Sequence, residues 1–143
     1  MSATHPDIDR FRDLCENRIP FNAMLGVRMD ALTPGFCRLL LPFQEDLVGD
    51  TRRGACHGGV LSMLADTCGG FAVWSLRRIE DRIATIDLRV DYLKPAVRCD
   101  LAAEAHVRLL GNRVGNAHII ITPADAPGEV LAEGRGVYNV RTD

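Results

Sequence analysis

The sequence predicts an α+β domain in which a mainly antiparallel sheet covers one central helix. Three observations carry this expectation. Residues 58–78 form one long stretch with helical spacing that is apolar on most sides. Two segments of strand character precede it and four follow it. Turn signals join these strands closely, and short connections favour antiparallel neighbours. At 143 residues the chain suffices for one domain, expected over 1–143, with an N-terminal helical segment in 1–20.

Taken in order, Asp7 is a candidate cap for a helix with apolar positions Ile8, Phe11, Leu14 and Cys15, and Pro20 ends it. Leu25 to Leu32 reads as a first strand. Pro34-Gly35 is a turn, and Phe36 to Leu41 is a second strand stopped by Pro42. Gln44 to Cys56 is polar and loop-like. In the long helix Leu61, Leu64, Ala65, Cys68 and Ala72 recur at three and four, while Val60, Met63, Phe71 and Trp74 make the opposite face apolar too. Such a helix is surrounded by protein, and Trp74 reads as core. The strands that follow are Ile86 to Tyr92, Leu101 to Leu110, Ala117 to Thr122 and Val130 to Val140.

Apolar residues make up 47% and charged residues 25%, which excludes a disordered chain. A net charge of −2 argues against a general nucleic-acid binder. Lys94 is the one lysine among 17 basic residues, so phosphate recognition falls mainly to arginine forks. The five cysteines form no Cys-x-x-Cys pair, and the polar opening segment does not read as a secretory leader. Reduced thiols in the cytoplasm are expected. The stretch 58–76 is apolar enough to raise a membrane question, but Asp66 at its middle and its four glycines make it a buried helix.

The chemistry concentrates in His57-Gly58-Gly59 and Asp66. Glycines at a helix start leave unpartnered N–H groups uncovered, where the helix dipole favours a developing oxyanion. Asp66 is the only charged residue between His57 and Arg77. An apolar setting raises a carboxyl pKa or demands partners, so Asp66 is a candidate base or nucleophile. Gly58 and Asp66 lie about 12 Å apart along a helix, too far to act on one carbonyl. If both act on one substrate, they come from different chains of a symmetric dimer. The adjacent Cys56-His57 is a weak nucleophile pair, because neighbours on an extended segment point apart. His5, His106 and His118 lack metal-ligand spacing, and no metal site is expected.

HGGVLSMLAD followed by TIDLRVDYLKPA resembles the hotdog-fold acyl-CoA thioesterases, in particular the phenylacetic-acid-pathway (PaaI-like) branch, from about Leu25 to Val140. The resemblance implies a curved sheet wrapped around a central helix. It implies a homodimer, often a dimer of dimers, and thioester hydrolysis without a metal or prosthetic group, coenzyme A being part of the substrate. Gly58 then matches the oxyanion glycine, His57 its flanking histidine and Asp66 the acidic nucleophile or base. Thr85 matches a Ser/Thr position facing the site. Thr51 stands where many members have Asn, and Thr donates a hydrogen bond but reaches less far. Arg113, Lys94, Arg89 and Gly59 are the candidates for holding coenzyme A. A hydratase or dehydratase of the same fold, or a non-catalytic acyl-CoA binding module, is the alternative reading. No second acid-base residue accompanies Asp66 on its helix, which disfavours the hydratase.

Overall fold

The computed structural model describes residues 3–142. It contains a six-stranded antiparallel sheet in the order β1-β2-β6-β7-β8-β5, curved around one long helix. The expected architecture is therefore present.

The N-terminal segment differs from expectation. Helix α1 (Ile8–Asp13) runs into a π-helical turn, Leu14–Arg18, and Pro20 opens a second helix, α2 (Pro20–Leu25), rather than only ending the first. Proline fits the first helical turn because its missing N–H has no partner there. Asp7 makes no side-chain cap; its backbone N–H is taken by His5 Nδ1 at 3.0 Å. Gly26 closes α2 at φ 81°, a left-handed conformation suited to glycine. The expected strand from Leu25 consequently starts later, as β1 (Arg28–Thr33).

Strand β2 (Phe36–Leu41) matches its expected span and alternates in burial, Cys37, Leu39 and Leu41 facing inward. The polar stretch 44–56 is more ordered than expected. It holds a single 3₁₀ turn, Glu45–Leu47, and a small hairpin of β3 (Val48–Asp50) and β4 (Ala55–Cys56). Asp50 ties the hairpin tip by accepting from the Arg52 N–H at 3.0 Å and the Arg53 Nε–H at 2.7 Å. Those hydrogen bonds hold the Asp50 carboxyl below its ordinary pKa.

Helix α3 (Gly58–Trp74) is the axis of the fold and ends four residues before the expected Arg78. Leu61, Leu64, Ala65, Cys68, Phe71, Ala72 and Val73 are buried, as the all-round apolar pattern requires. Three long strands complete the inner surface: β6 (Leu101–Leu110), β7 (Val114–Pro123) and β8 (Ala132–Arg141). Strand β5 (Arg82–Tyr92) forms one edge of the sheet and pairs only with β8. It is eleven residues long, largely exposed, and carries Ile86 and Tyr92 at the surface. A long bare edge of this kind is a template for pairing with another strand.

Candidate active site

The N-terminus of α3 is built by His57. Its backbone N–H donates to Leu47 O at 2.8 Å, which fixes the helix start against the 3₁₀ turn. Its ring Nδ1 accepts from the Gly59 N–H at 2.8 Å, so the imidazole caps its own helix. That bond removes Gly59 from the groups available to a ligand. Among the described residues the Gly58 N–H has no hydrogen-bond partner. Tyr92, at the end of β5, donates from its hydroxyl to Gly58 O at 3.1 Å and meets the Ser62 hydroxyl. Gly49 of the small hairpin packs against His57, where a Cβ would clash with the backbone.

Asp66 sits two turns further along α3 and is half-buried. It is not isolated. The Thr85 hydroxyl donates to Asp66 Oδ1 at 2.8 Å, within one chain. Strand β5 carries a bulge between Thr85 and Asp87, which turns Thr85 toward the helix while Asp87, Arg89 and Asp91 face the other side. Tyr138 of β8 donates to the Asp66 backbone O at 2.9 Å and pins the helix at this point. Tyr138 is buried in a slot between Gly69 and Gly136, where a Cβ on either would collide with its hydroxyl. Burial, with the Asp66 charge second, pushes its pKa well above the ordinary phenol value.

Beside Asp66 and Thr85 opens a cleft of about 270 Å³, walled by α2 on one side and by the second half of α3 on the other. Gly58 does not line it. The free N–H thus lies at the start of one continuous helix and the carboxylate at its middle, about 12 Å further along the axis. Chemically, a carboxylate held by a threonine can accept a proton, and an unpartnered N–H beside a histidine cap can donate to a developing oxyanion.

Residues 53–128 match the thioesterase superfamily. The chain belongs to the thioesterase superfamily. A medium/long-chain acyl-CoA thioesterase of Escherichia coli K12, YigI, is 30% identical over 114 residues, spanning 71% of this chain and 74% of that one. A protein of Halobacterium salinarum named as a candidate esterase is 43% identical over 129 residues, spanning 85% and 84%. Among solved structures, a thioesterase family protein of Silicibacter pomeroyi superposes with TM-score 0.84 at 27% identity, covering 97% of this chain and 99% of that one. The Escherichia coli PaaI protein superposes with TM-score 0.84 at 24% identity, covering 99% and 97%, a likeness of fold. The protein is a thioester hydrolase of hotdog fold.

Against this thioesterase frame the other sequence candidates fall in separate places. Thr51 is exposed at the hairpin tip, and no hydrogen bond joins it to Asp66. Arg113 is exposed on the β6–β7 turn, beside a polar cleft of about 490 Å³ that Arg82 and Arg141 also line. Arg89 lies on the sheet face away from α3, with Nε 3.3 Å from Asp91. Lys94 is exposed just after β5. The Cys56–His57 pair makes no nucleophile: burial, with the Cys99 charge second, pushes the Cys56 thiol up to about 11, and the His57 Nδ1 is occupied. Among the described residues no group of three or more His, Cys, Asp or Glu is arranged to hold a metal ion.

Tyr138 and Tyr92 are the residues that sequence reasoning missed. The inward alternation Gly134-Gly136-Tyr138 carries a signal for the first, since Gly136, two residues earlier on the same face, leaves room for its ring. Tyr92 stands in the quoted strand motif, but nothing local reveals that it returns to Gly58.

Proposed function

We propose that the protein hydrolyses an acyl-coenzyme A thioester to a carboxylic acid and free coenzyme A. The reading is carried by Asp66, held by Thr85 at the mouth of an apolar cleft, on a helix whose first N–H is free. Superfamily membership and the acyl-CoA thioesterase named among the relatives support it. The motif and the fold likeness to PaaI support a place near that branch. The five free cysteines support a cytoplasmic location, and no described helix is long and apolar enough to cross a membrane.

The working unit is a homodimer that joins two β5 edges. Thr85 stands by Asp66 and Tyr92 stands by Gly58, both on the α3 side of the strand. The bulge supplies one extra residue between them. An antiparallel two-fold pairing centred on Arg89 therefore sets Thr85 of one chain opposite the partner's Tyr92 on the same face. That register brings the partner's Gly58 to Asp66, with Thr51 on the Gly58 side. A second association of such dimers into a tetramer is part of this reading.

In the mechanism Thr85 occupies Asp66 Oδ1 and leaves Oδ2 for a water molecule. Water attacks the thioester carbonyl and Asp66 takes its proton. The oxyanion forms against the partner's Gly58 N–H. Collapse expels the thiolate of coenzyme A, which recovers the proton from Asp66. Direct attack by Oδ2 expels the thiolate and gives the same products through an acyl-aspartyl anhydride; where water opens that anhydride at the Asp66 carboxyl carbon, a single turnover in heavy-oxygen water leaves label in Asp66. No prosthetic group enters either route.

Thiol release from a panel of saturated acyl-CoA esters tests the reading. Release is the expected result, whereas binding without release would make the protein a binding module. A dehydratase would leave saturated thioesters intact. Coenzyme A phosphates are assigned to Arg113 and its neighbours, with Lys94 and Arg89 as further cations. Arg113→Ala should raise KM about threefold at low salt with little change in kcat, since an exposed ion pair is worth under about 1 kcal/mol. The effect should fade as salt rises. An unchanged KM at low salt would remove Arg113 from the site.

A further inference from the structure

We infer that the cleft beside Asp66 takes the acyl chain, and that Trp74 is the stop that limits its length to an unbranched apolar chain of medium size. The inference rests on the thioesterase reading for the position of the carbonyl. The rest comes from the geometry of α3. Asp66, Gly70 and Trp74 are spaced by four along the helix and share one stripe. The stripe runs about 12 Å from carboxylate to indole. Gly70, between them, presents no side chain, so the Tyr138 ring lies against the helix there and forms the cleft floor.

Trp74 is held rigidly at the end of that cleft away from Asp66. Its ring stacks on Phe71 at 5.5 Å and 22°, and Phe11 abuts it edge-on at 5.8 Å. Its Nε1–H donates to Arg78 O at 3.0 Å, which fixes the ring plane. The indole is nevertheless half-exposed, on the side that lines the cleft. The opposite wall is the N-terminal segment, with Ile19 and Phe21, and Ile83 of β5 closes the side. Phe21 is 53% exposed, an apolar ring left at the surface of the cleft. Ile19 and Phe21 lie outside residues 53–128, the stretch shared with the superfamily, so this wall is supplied by a part of the chain that the shared motif does not include.

Trp74 is the only tryptophan, so its emission reports the far end of the cleft directly. In Asp66→Asn protein, acetyl- and butanoyl-CoA should leave the emission unaltered. Octanoyl- and decanoyl-CoA should shift it, because only those chains reach the indole. With the unmodified catalytic residue, Trp74→Ala should move the kcat/KM optimum to longer chains, raising the dodecanoyl-to-octanoyl ratio about tenfold, the discrimination an apolar pocket exerts per methylene or more. Phe21→Ala should lower kcat/KM for decanoyl-CoA about tenfold relative to acetyl-CoA. Identical emission changes with acetyl- and decanoyl-CoA would overturn the proposal, as would an unchanged chain-length profile in Trp74→Ala. If the wild type releases no thiol from any acyl-CoA, the acyl-coenzyme A hydrolase reading falls. Chain-length-dependent emission would then still uphold the pocket, and chain-length-independent emission would overturn it as well.

Discussion

Asp66→Asn should lower kcat by about 10²-fold or more, the scale of a general base or nucleophile. The substitution keeps the side-chain volume, and the amide oxygen can still accept from the Thr85 hydroxyl. The Tyr138 bond to the Asp66 backbone is untouched, so the helix stays pinned. Folding should therefore survive, and circular dichroism with a melting curve checks this beside the rate. A variant that keeps more than about a third of the wild-type kcat would remove Asp66 from the chemistry, given the 10²-fold expectation.

Gly58→Pro should cost about 10²–10³ in kcat, the loss seen when one oxyanion donor is removed. It deletes an N–H at this helix start that has no partner among the described residues. The local structure accepts proline well. His57 has φ −59° and ψ 132°, the extended conformation required before proline. Proline at the first helical position is favoured. A Cβ at Gly58 would rest 3.4 Å from the Tyr92 ring, an ordinary contact. A proline variant with near-normal kcat would place the oxyanion elsewhere.

Much of this is legible in the residues alone. Strands β2 and β6 fall on their expected spans because Pro42 ends the first and the 111–113 turn ends the second, although Leu101 to Leu110 alternates less cleanly. The long helix was recognisable because it is apolar on nearly every side. Its C-terminus was not, since Ser75 to Arg78 has no glycine or proline to mark the stop. The N-terminal segment was misread at Pro20, which both ends and begins helices; only the left-handed Gly26 decides for the second helix. At the site, Asp66 stood out as a charge in an apolar stretch. Its partner Thr85 came from the family resemblance, because a hydrogen bond across nineteen positions depends on the β5 bulge. Trp74 read as core since it continues the apolar face of α3. One side of its ring does pack there, and the other faces the cleft.

The proposed site joins Asp66 of one chain to Gly58 of another. Their positions on one helix, Gly58–Trp74, keep them about 12 Å apart in a single chain. Asp66→Asn protein retains a working oxyanion donor, and Gly58→Pro protein retains a working carboxylate. Mixed and reassembled, the two inactive proteins should form heterodimers with one intact and one doubly defective site. With random exchange half the dimers are mixed, so thiol release should return to roughly a quarter of the wild-type rate by symmetry. Verified subunit exchange with no recovery of thiol release would contradict the shared site.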